Sequence, residues 1–432
     1  MTRTAGSGAI DRERLFIASC VAIATTGIVF SIRGDILDAL GAEFRLSRYQ
    51  LGVLLSPAFW GNTVANVLGG SLVDFVGMRR LFFLSTLGYV AAIVIVLFAP
   101  APVAGAPSQA AFVLLYAGFL LFGLSQGLVE GVVNPLAATL YPTNKTHKLN
   151  VLHAWWPGGL IAGGLIAYAM TRLWALDSAA VPPDTMALGW RIKLATALVT
   201  PIAAALLVLR QPFPATERVN AGVSHGEMFS EALRPMFLLW FALMWLTAST
   251  EVAPGQWIPS LITNLTGMQG ILILIYTAGL AFALRFFAGG LAHRVSPIAL
   301  LTSSAALSAI GLYALSTIHS APQAFLAATM FGVGTAYFWP TMLSVTSERF
   351  PRGGAFLLAL MGGAGNLAIA FVLPVIGRWY DTGGAAAAFR YVAVLPTVLT
   401  VVFATLFVYY RSRGGYRPIL LEADRKVLEG TT

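Results

Sequence analysis

Long apolar runs separated by short polar segments cover nearly the whole chain. Each run extends over about 20 residues, the length that an α-helix needs to cross the hydrocarbon core of a membrane. A period-two alternation of apolar and polar residues, which is typical of membrane-spanning strands, does not occur in them. The pattern therefore predicts an all-α membrane protein with twelve spans, over residues 15–40, 51–73, 81–99, 111–140, 149–172, 191–209, 235–265, 271–292, 299–318, 323–346, 353–377 and 389–410.

The longest polar segment of the chain interior follows the sixth span and divides the chain into two halves of six spans each. The halves resemble each other weakly, because Gly70–Gly77 and Gly289–Ser296 end the second and eighth spans in similar ways. Two similar halves related by an axis along the membrane normal are typical of secondary transporters. The predicted organisation is two six-helix bundles over residues 1–210 and 234–410, a cytoplasmic linker over 211–233 and a cytoplasmic tail over 411–432.

Composition agrees with a multi-pass membrane protein. The chain is 57% hydrophobic and only 10% charged, whereas soluble domains carry about 25% charged residues. Its net charge of +9 does not indicate nucleic-acid binding, because eighteen of the 27 Lys and Arg residues fall in loops and termini on one side of the predicted membrane and seven on the other. The positive-inside rule then predicts that both termini are cytoplasmic, in a cell inner membrane.

Two carboxylates stand out because they lie inside apolar spans. Asp35 lies in the first span and Glu130 in the fourth. A charge at membrane depth costs about 3 kcal/mol or more unless it is paired, hydrated or protonated, so such residues are functional candidates. Both are predicted proton-coupling residues. The alternatives left open are a static ion pair of Asp35 with Arg33, which points about 200° away on an ideal helix, and a structural pair of Glu130 with Arg33.

Further polar and aromatic residues in the spans are candidate substrate contacts. Arg33 would bind a carboxylate with its planar guanidinium or neutralise one of the two carboxylates. Arg285, near the predicted cytoplasmic end of the eighth span, is expected to extend to the membrane interface instead. The full set of candidate substrate residues is Arg33, Gln126, Asn134, Asn150, Trp156, Glu251 and Trp257. No metal cluster, cofactor motif or catalytic constellation is visible in the sequence, so neither a metal, a cofactor nor an enzyme activity is expected.

The segment from Gly70 to Arg80, Gly-Ser-Leu-Val-Asp-Phe-Val-Gly-Met-Arg-Arg, resembles the signature loop between spans two and three of the major facilitator superfamily. This resemblance implies the twelve-helix fold of that superfamily. It also implies a role in gating for the residues at the signature positions, which are Gly70, Asp74, Gly77, Arg79 and Arg80.

A narrower resemblance is to the fucose–galactose–glucose proton symporter family. Four short segments carry it, Gly34-Asp35-Ile-Leu, Glu130-Gly-Val-Val-Asn134-Pro135, Leu149-Asn150-Val-Leu-His153 and Glu251-Val-Ala-Pro-Gly255-Gln-Trp257. The resemblance implies that Asp35 and Glu130 couple protons to substrate. The chain departs from the family at Arg33-Gly34, where relatives carry uncharged residues, and this favours consideration of an acidic substrate such as a sugar acid.

These observations predict a secondary active transporter that takes up a sugar or sugar-like solute with protons by alternating access. The alternatives are a uniporter or exporter of an organic anion that uses Arg33, and a substrate sensor with a transporter fold. The expected partners are a small-molecule substrate, protons and the lipid bilayer, and the protein is expected to be monomeric.

Overall fold

The computed structural model describes residues 10–100, 109–141, 145–176, 181–214, 230–292, 295–350, 354–417 and 419. All regular structure in this part of the chain is α-helical, so the predicted all-α fold class is confirmed. Contacts between Cα atoms divide the chain into two compact units, residues 1–46 with 54–222 and residues 47–53 with 223–432.

Nine helices occupy the part of the chain before residue 214. They are α1 (Arg12–Asp35), α2 (Leu37–Phe44), α3 (Arg48–Leu55), α4 (Pro57–Val76), α5 (Met78–Leu97), α6 (Gln109–Leu140), α7 (Lys145–Leu173), α8 (Pro183–Thr196) and α9 (Val199–Val208). The most extensive helix packing in the first unit is between α4 and α6, α1 and α7, and α5 and α6. Small residues permit these close approaches, as in other membrane proteins.

Residues 47–53, which include most of α3, belong to the second unit, together with eight helices described after residue 230. They are α10 (Pro235–Glu251), α11 (Ala253–Thr266), α12 (Ile271–Ala292), α13 (Pro297–Leu315), α14 (Ala321–Thr335), α15 (Phe338–Arg349), α16 (Gly354–Val392) and α17 (Val394–Ser412). Its core packs α10, α13, α15, α16 and α17 around fully buried side chains such as Phe237, Trp240, Phe338 and Phe403. Within α16 the backbone leaves helical geometry at Gly384, where φ is 77°.

Eight helical stretches of the described chain are long and apolar enough to cross a membrane. Three predicted spans are not among them, 149–172, 323–346 and 271–292, and the last of these is found only as a shorter apolar helix, Ile271–Arg285. The first lies in α7, which begins with polar residues between Lys145 and His153. The second is interrupted and forms two helices of 15 and 12 residues, α14 and α15. The last two predicted spans fall within one helical stretch, Leu357–Ser412.

Several predicted spans are built from two helices with a break between them. In the first unit α1 ends at Asp35 and α2 begins at Leu37, with Ile36 between them at φ −86° and ψ 0°. In the second unit α10 ends at Glu251 and α11 begins two residues later. Both junctions keep backbone hydrogen bonds, such as those from Ile36 N to the Ile32 carbonyl and from Val252 N to the Ala248 carbonyl, each 3.0 Å long. The breaks are therefore short changes of helix direction or register.

Candidate functional site

Glu130 lies in the middle of α6, among neutral amide side chains. Its Oε1 accepts hydrogen bonds from Gln126 Nε2 at 3.2 Å and from Asn62 Nδ2 at 3.3 Å, and its Oε2 accepts one from Asn66 Nδ2 at 3.1 Å. Within the described part of the chain no Lys, Arg or His forms an ion pair with this carboxylate. We call Glu130 and these three amides the amide cradle.

The cradle follows from helix geometry. Gln126 precedes Glu130 by one turn on α6, and Asn62 and Asn66 are one turn apart on α4, so each pair shares a helix face. A close approach of the two helices brings the faces together at Gly127. A Cβ atom there would overlap the backbone carbonyl oxygen of Asn62. A glycine is therefore required at the point where α4 supplies the amides to Glu130.

The amide cradle suits both protonation states of a carboxyl group. An ionised carboxylate accepts the amide N–H bonds as observed. A protonated carboxyl group must also donate one hydrogen bond, and each amide carries a carbonyl oxygen that accepts it after rotation. Asn62 Oδ1 is buried and has no hydrogen-bond partner in the described part of the chain. A Lys or Arg partner lacks this capacity, because both side chains only donate.

Arg33 lies on α1 with only 3% of its surface exposed. Its Cζ lies 5.7–6.0 Å from the ring centroids of Phe30, Phe59, Phe119 and Phe122. Its Nε is buried without a partner, and among the described residues the guanidinium makes no hydrogen bond and no ion pair. Rings at this distance stabilise a cation, but they leave its hydrogen-bond donors unsatisfied.

A further buried residue of the first unit, Tyr89, lies within electrostatic range of both Arg33 and the amide cradle. It interacts with both Arg33 and Glu130, and its ring lies 6.2 Å from that of Phe122. Its hydroxyl group is buried and has no hydrogen-bond partner among the described residues. The alternative that Glu130 is directly paired with Arg33 is therefore wrong for this structure, since the amides occupy the carboxylate and the phenyl rings surround the guanidinium.

Asp35 has a cation partner, but it is Lys193 and not Arg33. The Lys193 Nζ donates to Asp35 Oδ2 at 2.6 Å and to Thr171 Oγ1 at 2.5 Å. The sequence places Lys193 among the charges of the outer side, whereas the structure buries it, with 6% of its surface exposed. Arg33 points elsewhere because side chains two positions apart lie on opposite helix faces.

A second ion pair of the first unit was missed by the sequence analysis. The Glu43 carboxylate accepts bonds from Arg191 Nη1 at 2.8 Å and Nη2 at 2.6 Å, and from Trp190 Nε1 at 2.6 Å. Arg191 also donates to backbone carbonyls, including that of Leu97 at 3.2 Å. This bidentate arrangement ties α2 to α8, and the sequence signal for it was an acidic residue three positions after the end of the predicted first span.

Glu251 lies at the break between α10 and α11, with Arg285 of α12 as its partner. Arg285 Nη2 donates to Glu251 Oε1 at 2.8 Å, and Trp339 N donates to Glu251 Oε2 at 3.1 Å. Arg285 Nε also donates to the carbonyl of Ala336 at 3.0 Å. The expectation that Arg285 extends to the membrane interface is wrong, because its guanidinium is held inside the unit by these bonds.

Asn134 and Trp156, two further substrate candidates, have partners other than Glu130. Asn134 Oδ1 bonds with His153 Nε2 at 3.0 Å, and the half-buried Trp156 packs edge-on against Phe30 with centroids 5.7 Å apart. The side chain of Asn150 lies outside the described residues.

Trp257 is fully buried, so its ring offers no surface to a ligand in this structure. Its Nε1 donates to the carbonyl of Leu373 at 3.3 Å, and its ring packs against Tyr380. The structure therefore gives Trp257 a packing role within the second unit in place of the expected substrate contact.

The predicted gating segment is described in part. The side chain of Asp74 and the surroundings of Gly70 lie outside what the structure describes. Gly77 ends α4 with φ 88°, a conformation that favours glycine. Arg79 and Arg80 are exposed at the start of α5 and line an open groove of about 570 Å³.

The profile of the Major Facilitator Superfamily matches residues 15–355. The chain belongs to the major facilitator superfamily. It is a multi-pass membrane transporter rather than an enzyme, as the family and its relatives are. Its curated relatives include the cis,cis-muconate transport protein of Acinetobacter baylyi, which is 24% identical over 81% of this chain and 84% of that protein.

A second relative is the gentisate transporter of Corynebacterium glutamicum, with 26% identity over 76% of this chain and 73% of that protein. Among solved structures, the chain is similar to the xylose transporter of E. coli in a partially occluded inward-open conformation. That match has a TM-score of 0.71 and 14% identity, and covers 91% of this chain and 99% of the other. At this identity the likeness shows the fold, which is that of the superfamily.

Proposed function

We propose that this protein is a proton-coupled secondary transporter of a small organic acid. The observation that carries the coupling is the amide cradle, in which Glu130 has three neutral partners and no ion-paired cation among the described residues. Such a carboxyl group gains or loses a proton without breaking a salt bridge, and its hydrogen bonds rearrange to suit either state. We assign Glu130 the coupling role, and Asp35 a second one that requires its release from Lys193.

The proposal of an acidic substrate rests on Arg33. A buried charge is costly unless a counter-charge or hydrogen bonds compensate for it, and the four phenyl rings compensate only in part. A substrate carboxylate would supply both the charge and the acceptor atoms. Muconate and gentisate, named for two relatives, are both carboxylates, which supports this class over a neutral solute.

A neutral sugar is the second candidate. The segments around Asp35, Glu130, Asn150 and Glu251 that resemble fucose–galactose–glucose proton symporters favour it. The amides of the cradle are suitable partners for sugar hydroxyl groups, and Trp156 is a half-buried ring on which a sugar could stack. These features do not require a charged substrate. A comparison of acids with a neutral sugar as substrates therefore distinguishes this candidate from the acidic substrate indicated by Arg33.

The transport cycle that we propose uses alternating access, with the bundles of residues 1–210 and 234–410 as its two moving parts and Gly70, Asp74, Gly77, Arg79 and Arg80 in gating. Gln126, Asn134, Asn150 and Trp156 remain proposed substrate contacts. We further propose a monomer in a cell inner membrane with both termini in the cytoplasm, on the evidence of its charge asymmetry.

The test is uptake into proteoliposomes with an imposed pH gradient, using labelled cis,cis-muconate, gentisate and xylose. We expect the gradient to drive accumulation of an acid and not of xylose. Glu130→Gln should lose accumulation while keeping exchange of internal for external acid, because exchange needs no net proton transfer. Glu13→Gln, an exposed residue at the start of α1, is the matched control. Gradient-driven uptake of xylose alone would favour the sugar, and full accumulation by Glu130→Gln would overturn the coupling role.

A further inference from the structure

At the break between α14 and α15, within the second unit, two hydrogen-bond donors bind the Glu251 carboxylate. We call this donor pair, Arg285 Nη2 and Trp339 N, the carboxylate receptor. The negative end of α14 presents the carbonyl of Ala336, which accepts a bond from Arg285 Nε at 3.0 Å. The positive end of α15 presents the N–H of Trp339. Arg285 Nη2 and Trp339 N thus form a pair of donors, and the Glu251 carboxylate fills it with one oxygen on each.

The arrangement fixes the guanidinium before any ligand arrives. Because Nε is anchored on Ala336, the Nη2 donor is held in place and loses little freedom on binding a carboxylate. A helix N-terminus next to a guanidinium is a favourable site for an anion. We propose that this receptor is a substrate site, and that a substrate carboxylate takes the place of Glu251 on Arg285 and Trp339.

The Glu251 carboxylate, which occupies the receptor in the structure, shows which chemical group the receptor binds. Glu251 is a carboxylate already bound in the geometry that a ligand carboxylate would adopt, so the receptor's preference is displayed by the chain itself. The pair is also reachable, because 27% of the Arg285 side chain and 11% of the Glu251 side chain are exposed. A purely structural tie would gain nothing from this exposure, since water weakens an ion pair.

Charge balances in the exchange. Before it, Arg285 and Glu251 form a neutral pair. In the exchange one proton adds to the Glu251 carboxylate, and Glu251 then dissociates from Arg285 as a neutral carboxylic acid. One substrate carboxylate binds Arg285 in its place, so the site is again neutral. Arg285 is the charged group that faces Glu251 from the neighbouring helices in the described part of the chain, and the nearby Tyr337 hydroxyl is bonded to the Leu284 carbonyl at 3.2 Å.

This inference rests on the proposed transport of organic acids, and it adds Arg285, Trp339 and Glu251 to the proposed substrate site. A substitution in a binding site usually weakens ligand binding, but here a substitution of similar size is expected to strengthen it. Glu251→Gln keeps the shape of the side chain but removes the competing charge. It should therefore bind acids more tightly than the unaltered protein, by about tenfold. A residue that only ties helices together would give unchanged or weaker binding.

The experiment measures the Kd of the purified full-length protein in detergent for cis,cis-muconate and gentisate, with their methyl esters as uncharged probes. We expect tighter acid binding by Glu251→Gln, at least about thirtyfold weaker binding by Arg285→Gln, and no effect of either change on the esters. Glu348→Gln is the matched control, because this carboxylate lies on α15 and bonds with Ser344 and Tyr416. If Arg285→Gln does not fold, Arg285→Lys, which keeps the charge but loses the fixed fork, should give an intermediate Kd.

The outcomes separate the two proposals. Acid binding that is lost in Arg33→Gln but unchanged or weaker in Glu251→Gln overturns the receptor and leaves the proposed function intact. Absence of acid binding in the unaltered protein and in Glu251→Gln overturns the organic-acid function, and the receptor with it. Acid binding that appears or tightens only in Glu251→Gln supports the receptor, because it shows that the chain's own carboxylate competes with the ligand.

Discussion

Glu130 of the first unit and Glu251 of the second are both carboxylates within membrane-spanning sequence, but their surroundings differ. Glu130 lies in the middle of α6 and bonds only with neutral amides. Glu251 is the last residue of α10 and is paired with Arg285. Asp35 resembles Glu251, since it is the last residue of α1 and is paired with Lys193.

The difference follows from position along the helix. The C-terminal end of a helix carries a partial negative charge, so an ionised carboxylate at a helix end needs a cation. A carboxylate in mid-helix is free of this repulsion, and neutral amides suffice to hold it. This difference separates Asp35 and Glu251, whose charges are held by a cation until a ligand or proton displaces it, from Glu130, whose charge is free to change. It assigns proton exchange first to Glu130, and ligand-driven release to the paired residues.

The largest effect expected from this comparison is on stability in the second unit. Arg285→Gln leaves the Glu251 charge with one hydrogen bond, from Trp339 N. Because 27% of the Arg285 side chain is exposed, the cost lies at the lower end of the range for a buried pair, about 3 kcal/mol, which corresponds to a fall in Tm of roughly 10 °C for a unit of this size. Thermal unfolding in detergent measures it, with Arg378→Gln, an exposed residue of α16, as the control. A shift no larger than that of the control would mean that Glu251 does not depend on Arg285.

An intermediate effect is expected from the amide cradle. Asn66→Ala removes the donor to Glu130 Oε2 and should lower the free energy of unfolding by about 1–3 kcal/mol. Because the lost bond favoured the ionised carboxylate, gradient-driven uptake should reach half its maximum at a higher pH than in the unaltered protein. The Asn66→Ala/Glu130→Gln double variant provides the control. An equal loss of stability in both backgrounds would show that Asn66 acts independently of the carboxylate.

The sequence predicts the fold and part of the amide cradle. Apolar runs predict the all-α class because membrane helices must satisfy their backbone bonds internally. The spacing of Gln126 and Glu130 places them on one helix face. The same spacing relates Asn62 and Asn66 in the second span, a signal that was present in the sequence but not used.

The ion pairs could not be predicted in the same way. Lys193 is 158 positions from Asp35, and Arg285 is 34 positions from Glu251. Their pairing depends on the rotation of separate helices and on the breaks after α1 and α10. The hydrophobic pattern does not contain the rotation. Of the two breaks, the one after α10 has a sequence signal, since Pro254-Gly255 interrupts the predicted seventh span.

The smallest effect is expected at Glu130 itself, and it is the sharpest test of the comparison. Glu130→Gln removes a charge that no cation partner requires among the described residues. The new amide nitrogen also gains a potential acceptor in Asn62 Oδ1, which is buried and has no hydrogen-bond partner in the described part of the chain. No cation among the described residues loses a partner in this substitution, and a single hydrogen bond contributes only about 1 kcal/mol net, so the free energy of unfolding should change by less than about 1 kcal/mol.

Thermal unfolding at neutral pH, measured beside the Arg285→Gln variant, checks this expectation. A loss of stability as large as that of Arg285→Gln would mean that the Glu130 charge itself holds the first unit together. The amide cradle would then be a structural feature rather than a site of proton exchange. A small change in Tm together with lost proton-driven accumulation assigns the charge of Glu130 to transport, because only transport then depends on it.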